Sequence, residues 1–255
     1  MKSVFSIIYW NVWLATQDGT KGDSDELLKV LGDIIDEHSP DAFGLNEVLV
    51  DAKTGVSPIL DHLTNLGYET YFCLFSPHNE QWLIGSAFAS KRKPIKIKEH
   101  ILGNDSLAEQ RGYKGYSVRL IEANIILDGT EITVMTNYLM ALFPRSWTAH
   151  VSHRRSYEKI VNNTKNKYLI IGGDFNEPKY SLPWLRLNHN YKRLTGSFFN
   201  PTWRWNGKKE RLIRANYDNI VYRKNEDVLL KDFRVLDRKP SDHAPLLAIF
   251  AINKQ

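Results

Sequence analysis

Short apolar segments of strand length recur along the whole chain, and this recurrence limits the fold more than any other property of the sequence. Helical patterns separate some of these segments, whereas turns alone separate others. Strand–helix units favour parallel strand pairing, and hairpins impose antiparallel pairing. We therefore predict an α/β protein in which two packed, mixed β-sheets are flanked by helices.

Both kinds of connection can be located in the sequence. A pattern of leucine and isoleucine at helical spacing follows Ser24, which we expect to cap the helix, and Pro40 prevents its continuation. Two apolar segments flank the dipeptide Asp128-Gly129, which favours a tight hairpin turn. Two further helices are predicted over residues 58–66 and 146–163.

Polar residues that could take part in catalysis stand at the ends of six of the predicted segments. They are Asn11, Glu47, Tyr138, Asp174 with Asn176, Asp218, and Asp242 with His243. A single Asp after a strand is more often a turn residue than a catalyst, and a lone His near a strand is usually structural. Six such groups in one chain are harder to dismiss, because the ends of central strands in an α/β sandwich converge on one rim that carries functional loops.

Two of these carboxylates have the chemistry of metal ligands. Glu47 and Asp242 offer hard oxygen ligands, and the chain has no Cys/His pairing at zinc spacing. We therefore expect Mg²⁺ (or Mn²⁺) rather than zinc. Asn11 and Asn176 supply carboxamides, which could orient a water molecule or an anionic oxygen without adding charge.

The remaining polar residues complete a set suited to phosphoester hydrolysis. Asp174 could accept a proton from an attacking water. His243 could carry a positive charge near a phosphoryl oxygen, and Asp218 could hold its ring in the correct tautomer. A P-loop is absent from the sequence, as is Gly-x-Ser-x-Gly, which disfavours nucleotide-driven phosphoryl transfer and serine hydrolase chemistry.

Several motifs follow one another in an order that is typical of a known family. They are "WN" at 10–11, "NE" at 46–47, "GGDFN" at 172–176, "PTW" at 201–203, "YDNIV" at 217–221 and "SDHAP" at 241–245. In this order they resemble the endonuclease/exonuclease/phosphatase, or deoxyribonuclease I-like, family over the whole chain. The resemblance implies a four-layer α/β sandwich and hydrolysis of phosphoesters that depends on a divalent metal.

The resemblance also implies a role for each matching residue. Glu47 and Asp242 would be metal ligands, with Asn11 close by. Asp174 would activate or orient water, and Asn176 would bind the scissile phosphate. The Asp–His pair of the family would be formed by the residues at 218 and 243.

Two positions depart from the family pattern. Asn46 stands where the family usually has Gln, and Tyr138 stands where much of the family has His. The exonuclease III and abasic-site endonuclease branch carries Tyr at that position, so Tyr138 resembles that branch. The loop that follows, "LMALFPRSW", does not match the branch closely.

Charge and aromatic residues favour DNA as the substrate. Residues 1–80 hold 4 Lys/Arg and 13 Asp/Glu, and the remainder holds 30 and 16, so the later part could face a polyanion or simply be solvated. Trp203 and Trp205 are candidate contacts to bases, although a packed hairpin explains them at least as well. Arg154 is a candidate phosphate contact, as are the basic residues of 91–98.

We therefore predict a metal-dependent DNA nuclease, an endonuclease or 3′ exonuclease that could act at abasic sites in DNA repair. The alternative is a phosphatase or phosphodiesterase that acts on a lipid headgroup or a small phosphoester. A catalytically silent binding module is disfavoured, because all six polar groups are present.

Cysteine content and hydropathy set the expected environment. The single cysteine, Cys73, excludes an intramolecular disulfide and suits a reducing compartment. No apolar run reaches the roughly 20 residues of a membrane helix. We expect one domain over residues 1–255, a monomer in the cytoplasm without a membrane span.

Overall fold

The computed structural model describes residues 2–13, 24–104, 109, 112, 115–139, 147–176, 190–197, 199–206, 212–238 and 240–253. In chain order the strands are β1 (Lys2–Asn11), β2 (Ala42–Asp51), β3 (Glu69–Pro77), β4 (Trp82–Ser90), β5 (Lys96–Asn104), β6 (Ser117–Leu127), β7 (Thr130–Tyr138), β8 (Leu169–Asp174), β9 (Tyr191–Thr195), β10 (Trp203–Asn206), β11 (Leu212–Ala215), β12 (Asp218–Arg223), β13 (Val228–Val235) and β14 (Leu246–Asn253). The helices are α1 (Ser24–His38), α2 (Pro58–Asn65) and α3 (Trp147–Asn163).

The strands form two large mixed sheets and one small one. Sheet A has the order β13-β14-β1-β2-β4-β3, and sheet B has the order β5-β6-β7-β8-β12-β9. Strand β1 pairs with β2 in parallel, as β7 does with β8, and the other described pairs are antiparallel. Strands β10 and β11 form a separate hairpin.

Three apolar clusters hold the layers together. The cluster between the sheets includes Phe5, Ile7 and Tyr9 of β1, which face sheet B. Residues of α1 and α2 pack on the outer face of sheet A, and Tyr157 and Val161 of α3 pack on the outer face of sheet B. The order helix, sheet, sheet, helix confirms the predicted four-layer α/β sandwich.

The hairpin predicted at Asp128-Gly129 is confirmed between β6 and β7. Both residues have positive φ, 48° and 88°, as the tight turns favoured between twisted strands require. The helices predicted over 58–66 and 146–163 correspond to α2 and α3. Ser24 is the first residue of α1, so the capping position before the helix lies outside the described residues.

The prediction that the second strand ends at Glu47 is wrong. Strand β2 continues to Asp51, and its register against β4 shifts between Leu45 and Val48. Glu47 lies within this β-bulge with a φ of 57°, which only a few per cent of non-glycine residues adopt. The bulge adds a residue without ending the strand, and a strand-length pattern cannot reveal it.

Strand β5 was not predicted. Its first residues belong to the basic segment 91–98, which was predicted either to contact phosphate or to be a solvated face. None of the helices that the structure describes has the length and apolar character required to cross a bilayer.

Candidate active site

Strand topology brings the polar segment ends together at one rim. Asn11 ends β1, Tyr138 ends β7 and Asp174 ends β8. Asp174 pairs with Tyr138 on one side and with Asp218, the first residue of β12, on the other. Because β14 runs antiparallel to β1, the segment before β14 reaches the same rim, and it carries the "SDH" motif.

Two glycines before Asp174 allow the sheets to approach closely there. A Cβ on Gly172 would lie 2.2 Å from the ring of Tyr9, and one on Gly173 would lie 2.7 Å from Oδ1 of Asn46. Gly173 also has a φ of 132°, which side chains disfavour. The "GG" of the motif is therefore required by the packing of sheet A against sheet B at the rim.

Asn46 links the two sheets directly behind the site. Its Oδ1 accepts a hydrogen bond of 2.9 Å from the backbone N–H of Asp174, and its Nδ2 donates one of 2.7 Å to Ser86. Sequence reasoning had treated Asn46 only as a departure from the family pattern. The structure assigns it a positioning role, since it fixes the backbone that carries Asp174.

Asn11 connects the carboxylates of the two sheets. Its fully buried Nδ2 lies 3.1 Å from Oε1 of Glu47 and 3.1 Å from Oδ2 of Asp174. Its Oδ1 accepts the N–H of Trp13. The carboxamide is thereby held with its donor side towards the two acids.

Asn176 is hydrogen-bonded to Asp174. Its backbone N–H and its Nδ2 donate to Asp174, at 2.7 and 3.0 Å, and its Nδ2 also donates to the carbonyl oxygen of Leu139. A positive φ of 48° folds Asn176 back over the strand end. Its amide donors therefore hold Asp174, and its predicted contact with phosphate stays a prediction.

The Asp–His pair implied by the family resemblance is present in the geometry. Nδ1 of His243 lies 2.8 Å from Oδ2 of Asp218, and Nε2 lies 4.0 Å from both Oδ2 of Asp174 and Oδ1 of Asp242. The free ring nitrogen is thus directed between two other carboxylates, the place where a phosphoryl oxygen could bind.

Residues that the sequence reasoning did not select anchor this pair. Ser241 donates to the carbonyl oxygens of Asn11 and Trp13 and accepts the N–H of His243. The indole N–H of Trp10 donates to the carbonyl oxygen of His243 at 2.9 Å. Both residues stand inside the quoted motifs "SDH" and "WN", so the motifs themselves were the available signal.

Burial and crowding act together on the carboxylates of the rim. Burial is the main cause that raises the pKa of Glu47, of Asp242 and of Asp174, which reaches about 7. Asp218 raises the pKa of both Asp174 and Asp242, whereas His243 opposes the shift. Burial of these carboxylates therefore outweighs the hydrogen bonds and the charge of His243 that favour their ionised forms.

His243 itself is held in its charged form. Burial alone would lower its pKa, but the charge and hydrogen bond of Asp218, with Asp174 and Asp242, raise it to about 10. Near neutral pH the imidazolium is the stable form, so His243 is suited to stabilising negative charge rather than to accepting a proton.

The donor set fits a hard divalent cation. Oδ1 of Asp242 is buried and has no hydrogen-bond partner among the residues that the structure describes, and the charge of Asp242 adds to the burial that raises the pKa of Glu47. Ligand atoms of Asp174, Asp218 and His243 also lie within 4.8 Å of one another. Asp218 and His243 are already hydrogen-bonded to each other, so Glu47 and Asp242 remain the better candidates for ligands of a magnesium-type ion.

Tyr138 contacts the site in an unexpected way. Its ring stacks on Phe75 with centroids 5.2 Å apart, and its side chain hydrogen-bonds with Glu47. The bond lowers the pKa of Glu47 against the effect of burial. The predicted catalytic role of Tyr138 remains a prediction, and its hydrogen bond links it to a candidate metal ligand.

The three residues predicted to bind substrate are placed differently. Trp203 belongs to the rim, since its indole N–H donates to Asp242. Trp205 lies two residues on in β10, and its side chain is outside the described part of the structure. Arg154 lies on α3, where its Nε is 3.5 Å from Glu158, and no described contact joins it to the rim.

Comparison with known proteins agrees with the fold and the order of the motifs. Residues 8–243 match the model of the Endonuclease/Exonuclease/phosphatase family. No curated sequence matches the chain.

Solved structures with the same fold have low sequence identity. A family protein from Bacteroides thetaiotaomicron has a TM-score of 0.72 at 14% identity, with all of both chains covered. D. rerio TDP2, solved with a single-stranded DNA product, has a TM-score of 0.68 at 16% identity, with 97% of this chain and 99% of that chain covered. The human Nocturnin catalytic domain, solved with a bound sulfate, has a TM-score of 0.68 at 18% identity, with 99% and 96% covered.

Proposed function

This chain belongs to the endonuclease/exonuclease/phosphatase family, and on that premise we propose that it is a divalent-metal-dependent phosphodiester hydrolase whose substrate is DNA. Members of the family are phosphoesterases. One observation carries the proposal: the ring nitrogen of His243, backed by Asp218, is directed between Asp174 and Asp242.

Each residue has a task that its geometry supports. Asp174, with its pKa raised to about 7, is suited to take a proton from an attacking water. The imidazolium of His243 stabilises the charge that develops on the phosphoryl oxygens. Asn11 keeps Asp174 in place from the side of sheet A.

Glu47 and Asp242 are the residues that would hold the metal. A bound Mg²⁺ or Mn²⁺ would supply Lewis-acid stabilisation of the phosphoryl group and compensate the crowded carboxylates. Asn11 donates to Glu47 and keeps that carboxylate oriented towards the rim.

Two observations support a nucleic-acid substrate. The protein TDP2, which shares the fold, was solved with a single-stranded DNA product. The chain also carries an excess of basic residues after residue 80. DNA binding through phosphate contacts should weaken steeply as salt rises.

A second candidate, a phosphatase or phosphodiesterase for a lipid headgroup or small phosphoester, is favoured by the position of a basic segment. Lys96 of β5 pairs with Asn124, whereas Asn104 at the other end of β5 pairs with Ser117 near the rim. Residues 91–98 therefore lie at the end of sheet B opposite the candidate site. A long polyanion is not required to explain them.

A substrate panel tests the proposal. We would incubate the protein with Mg²⁺ or Mn²⁺ and duplex, single-stranded or abasic DNA, RNA, an inositol phosphate and a choline phosphodiester, with Asp174→Asn and chelated metal as controls. We expect metal-dependent cleavage of at least one DNA, lost in both controls. Cleavage of only a small phosphoester would select the second candidate, and no cleavage of any substrate would overturn the proposal.

A further inference from the structure

The first strand of the small hairpin is fastened to the segment that carries Asp242. Trp203 and His243 form an isolated antiparallel bridge. The backbone N–H of Arg204 donates to the carbonyl oxygen of Asp242 at 2.9 Å, and that of Ala244 donates to Thr202 at 2.8 Å. These backbone hydrogen bonds fix the position of Trp203 relative to Asp242 and His243.

The side chain of Trp203 distinguishes the two oxygens of Asp242. Its Nε1 donates to Oδ2 at 2.9 Å, whereas Oδ1 is buried and has no hydrogen-bond partner within the described part of the chain. The indole ring is half-buried and packs against Tyr217, with ring centroids 5.4 Å apart. Two contacts thus fix the direction of the indole N–H.

An indole N–H has properties suited to this task. It only donates hydrogen bonds and carries no charge. It can therefore hold one carboxylate oxygen without repelling a cation bound to the other oxygen.

We propose that Trp203 is a positioning residue for Asp242: its indole N–H fixes Oδ2 and leaves Oδ1 to bind the divalent metal. This inference rests on the proposed function, because it requires a metal at Asp242. It differs from the sequence-based prediction that Trp203 contacts a base of the substrate. Groups that orient a metal ligand typically contribute 10- to 100-fold to metal affinity.

Calorimetric titration with Mn²⁺ in the absence of substrate tests the inference. Trp203→Phe keeps an aromatic ring against Tyr217 and removes the donor. We expect its Mn²⁺ dissociation constant to rise by about 10- to 100-fold. Trp203→His, which retains a ring N–H, should recover part of the lost affinity.

Trp13 provides a matched control at the same rim. Its ring contacts His78 edge-on at 5.0 Å, and its indole N–H bonds to none of the residues that the structure describes. Trp13→Phe is the same chemical change and should bind Mn²⁺ within about twofold of the parent. Circular dichroism and the unfolding temperature of each variant show whether it is folded.

The outcomes separate the two proposals. Parental Mn²⁺ affinity in folded Trp203→Phe would overturn the positioning role and leave the proposed function intact. Absence of Mn²⁺ binding by the parent would overturn the proposed function and this inference with it. With an active substrate, saturating Mn²⁺ should restore kcat in Trp203→Phe, whereas a KM defect that persists at saturation would indicate a substrate contact instead.

Discussion

Acidic side chains cluster in two regions of the molecule, and their pKa values are shifted in opposite directions. At the β5–β6 edge of sheet B, Glu99 accepts hydrogen bonds from Tyr71 and Arg119, and Glu122 lies 2.7 Å from His100. At the rim, Glu47, Asp174 and Asp242 crowd around His243. Only the edge pairs each carboxylate with a basic side chain of its own, whereas the rim carboxylates share the imidazole of His243.

The pKa values follow this difference. At the edge, burial would raise the pKa of Glu99, but the bonds from Tyr71 and Arg119 hold it below its usual value. The bond to His100 is the main cause that lowers the pKa of Glu122. At the rim the pKa values are raised, so the edge acids stabilise the fold and the rim acids oppose it. Raised pKa values of buried carboxylates are typical of functional sites.

The largest expected effect separates the two regions by activity. Asp174→Asn and His243→Ala should each lower kcat by roughly 10²–10⁴-fold, because they remove the proton acceptor and the stabilising charge. Since the two groups act as a unit, the double variant should fall little further. Steady-state kinetics on the active substrate measures each loss.

Glu122→Gln is the matched control, an acid-to-amide change at the edge. It should leave kcat within about twofold of the parent. A loss of less than tenfold in Asp174→Asn with unchanged circular dichroism, or an equal loss in Glu122→Gln, would remove the distinction between the regions.

Tyr138 sharpens the comparison, because it is a hydrogen-bond partner that the rim provides for Glu47. Tyr138→Phe retains the ring that stacks on Phe75 and removes the hydroxyl that bonds with Glu47. We expect kcat to fall by roughly 10- to 10³-fold, the range for one preorganised donor. Recovery at high Mn²⁺ would assign the hydroxyl to Glu47, and a loss that persists would assign it to phosphate. Parental kcat at every metal concentration would make Tyr138 a packing residue.

A smaller effect is expected on stability, where the acid-to-amide changes at the rim and at the edge should act in opposite directions. Metal-free Asp174→Asn should raise the free energy of unfolding at pH 8 by about 1–2 kcal/mol, since it removes a buried and repelled charge. Glu122→Gln should lower it by about 1 kcal/mol, since it removes a charge-assisted hydrogen bond. Urea denaturation of both variants and the parent provides the comparison. Destabilisation by both changes would show that the rim is compensated as the edge is.

The stability effect of Asp174 should depend on pH in a defined window. A carboxyl whose folded pKa is raised binds more protons in the folded state, so stability falls as pH rises between its unfolded and folded pKa. For Asp174 this window runs from 3.8 to about 7. The difference between the parent and Asp174→Asn should therefore be small below pH 4 and constant above about pH 8. A difference that is equally large at pH 4 would contradict the cause assigned to it.

Sequence patterns predicted the sandwich and most segment ends, because both depend on local properties. Apolar runs mark strands, and the dipeptide at 128–129 specifies a turn whatever surrounds it. Asp174 could be selected because the most apolar strand leads directly to it. These signals lie within a few residues of the features that they predict.

The parts that were missed depend on contacts between distant segments. The bulge that turns Glu47 into the site is set by pairing with β4, and the bond from Asp174 to Asn46 spans 128 residues. The bond between Trp203 and Asp242 joins residues 39 positions apart, and it depends on a hairpin that the sequence offered only as an alternative to base contacts. Residue types alone indicate that such groups can bond, but only the packing of the sheets decides their partners.

The claim that the rim carboxylates form a metal site is tested most directly by calorimetric titration of Glu47→Gln with Mn²⁺. The amide keeps the size of the side chain and an oxygen for Asn11, but it removes the charge that a divalent ion requires. We predict that the parent binds Mn²⁺ and that Glu47→Gln binds it at least about tenfold more weakly, the loss expected for a weakened ligand. Superimposable titration curves for the two proteins would contradict the assignment of Glu47 as a ligand and, with it, this account of the rim.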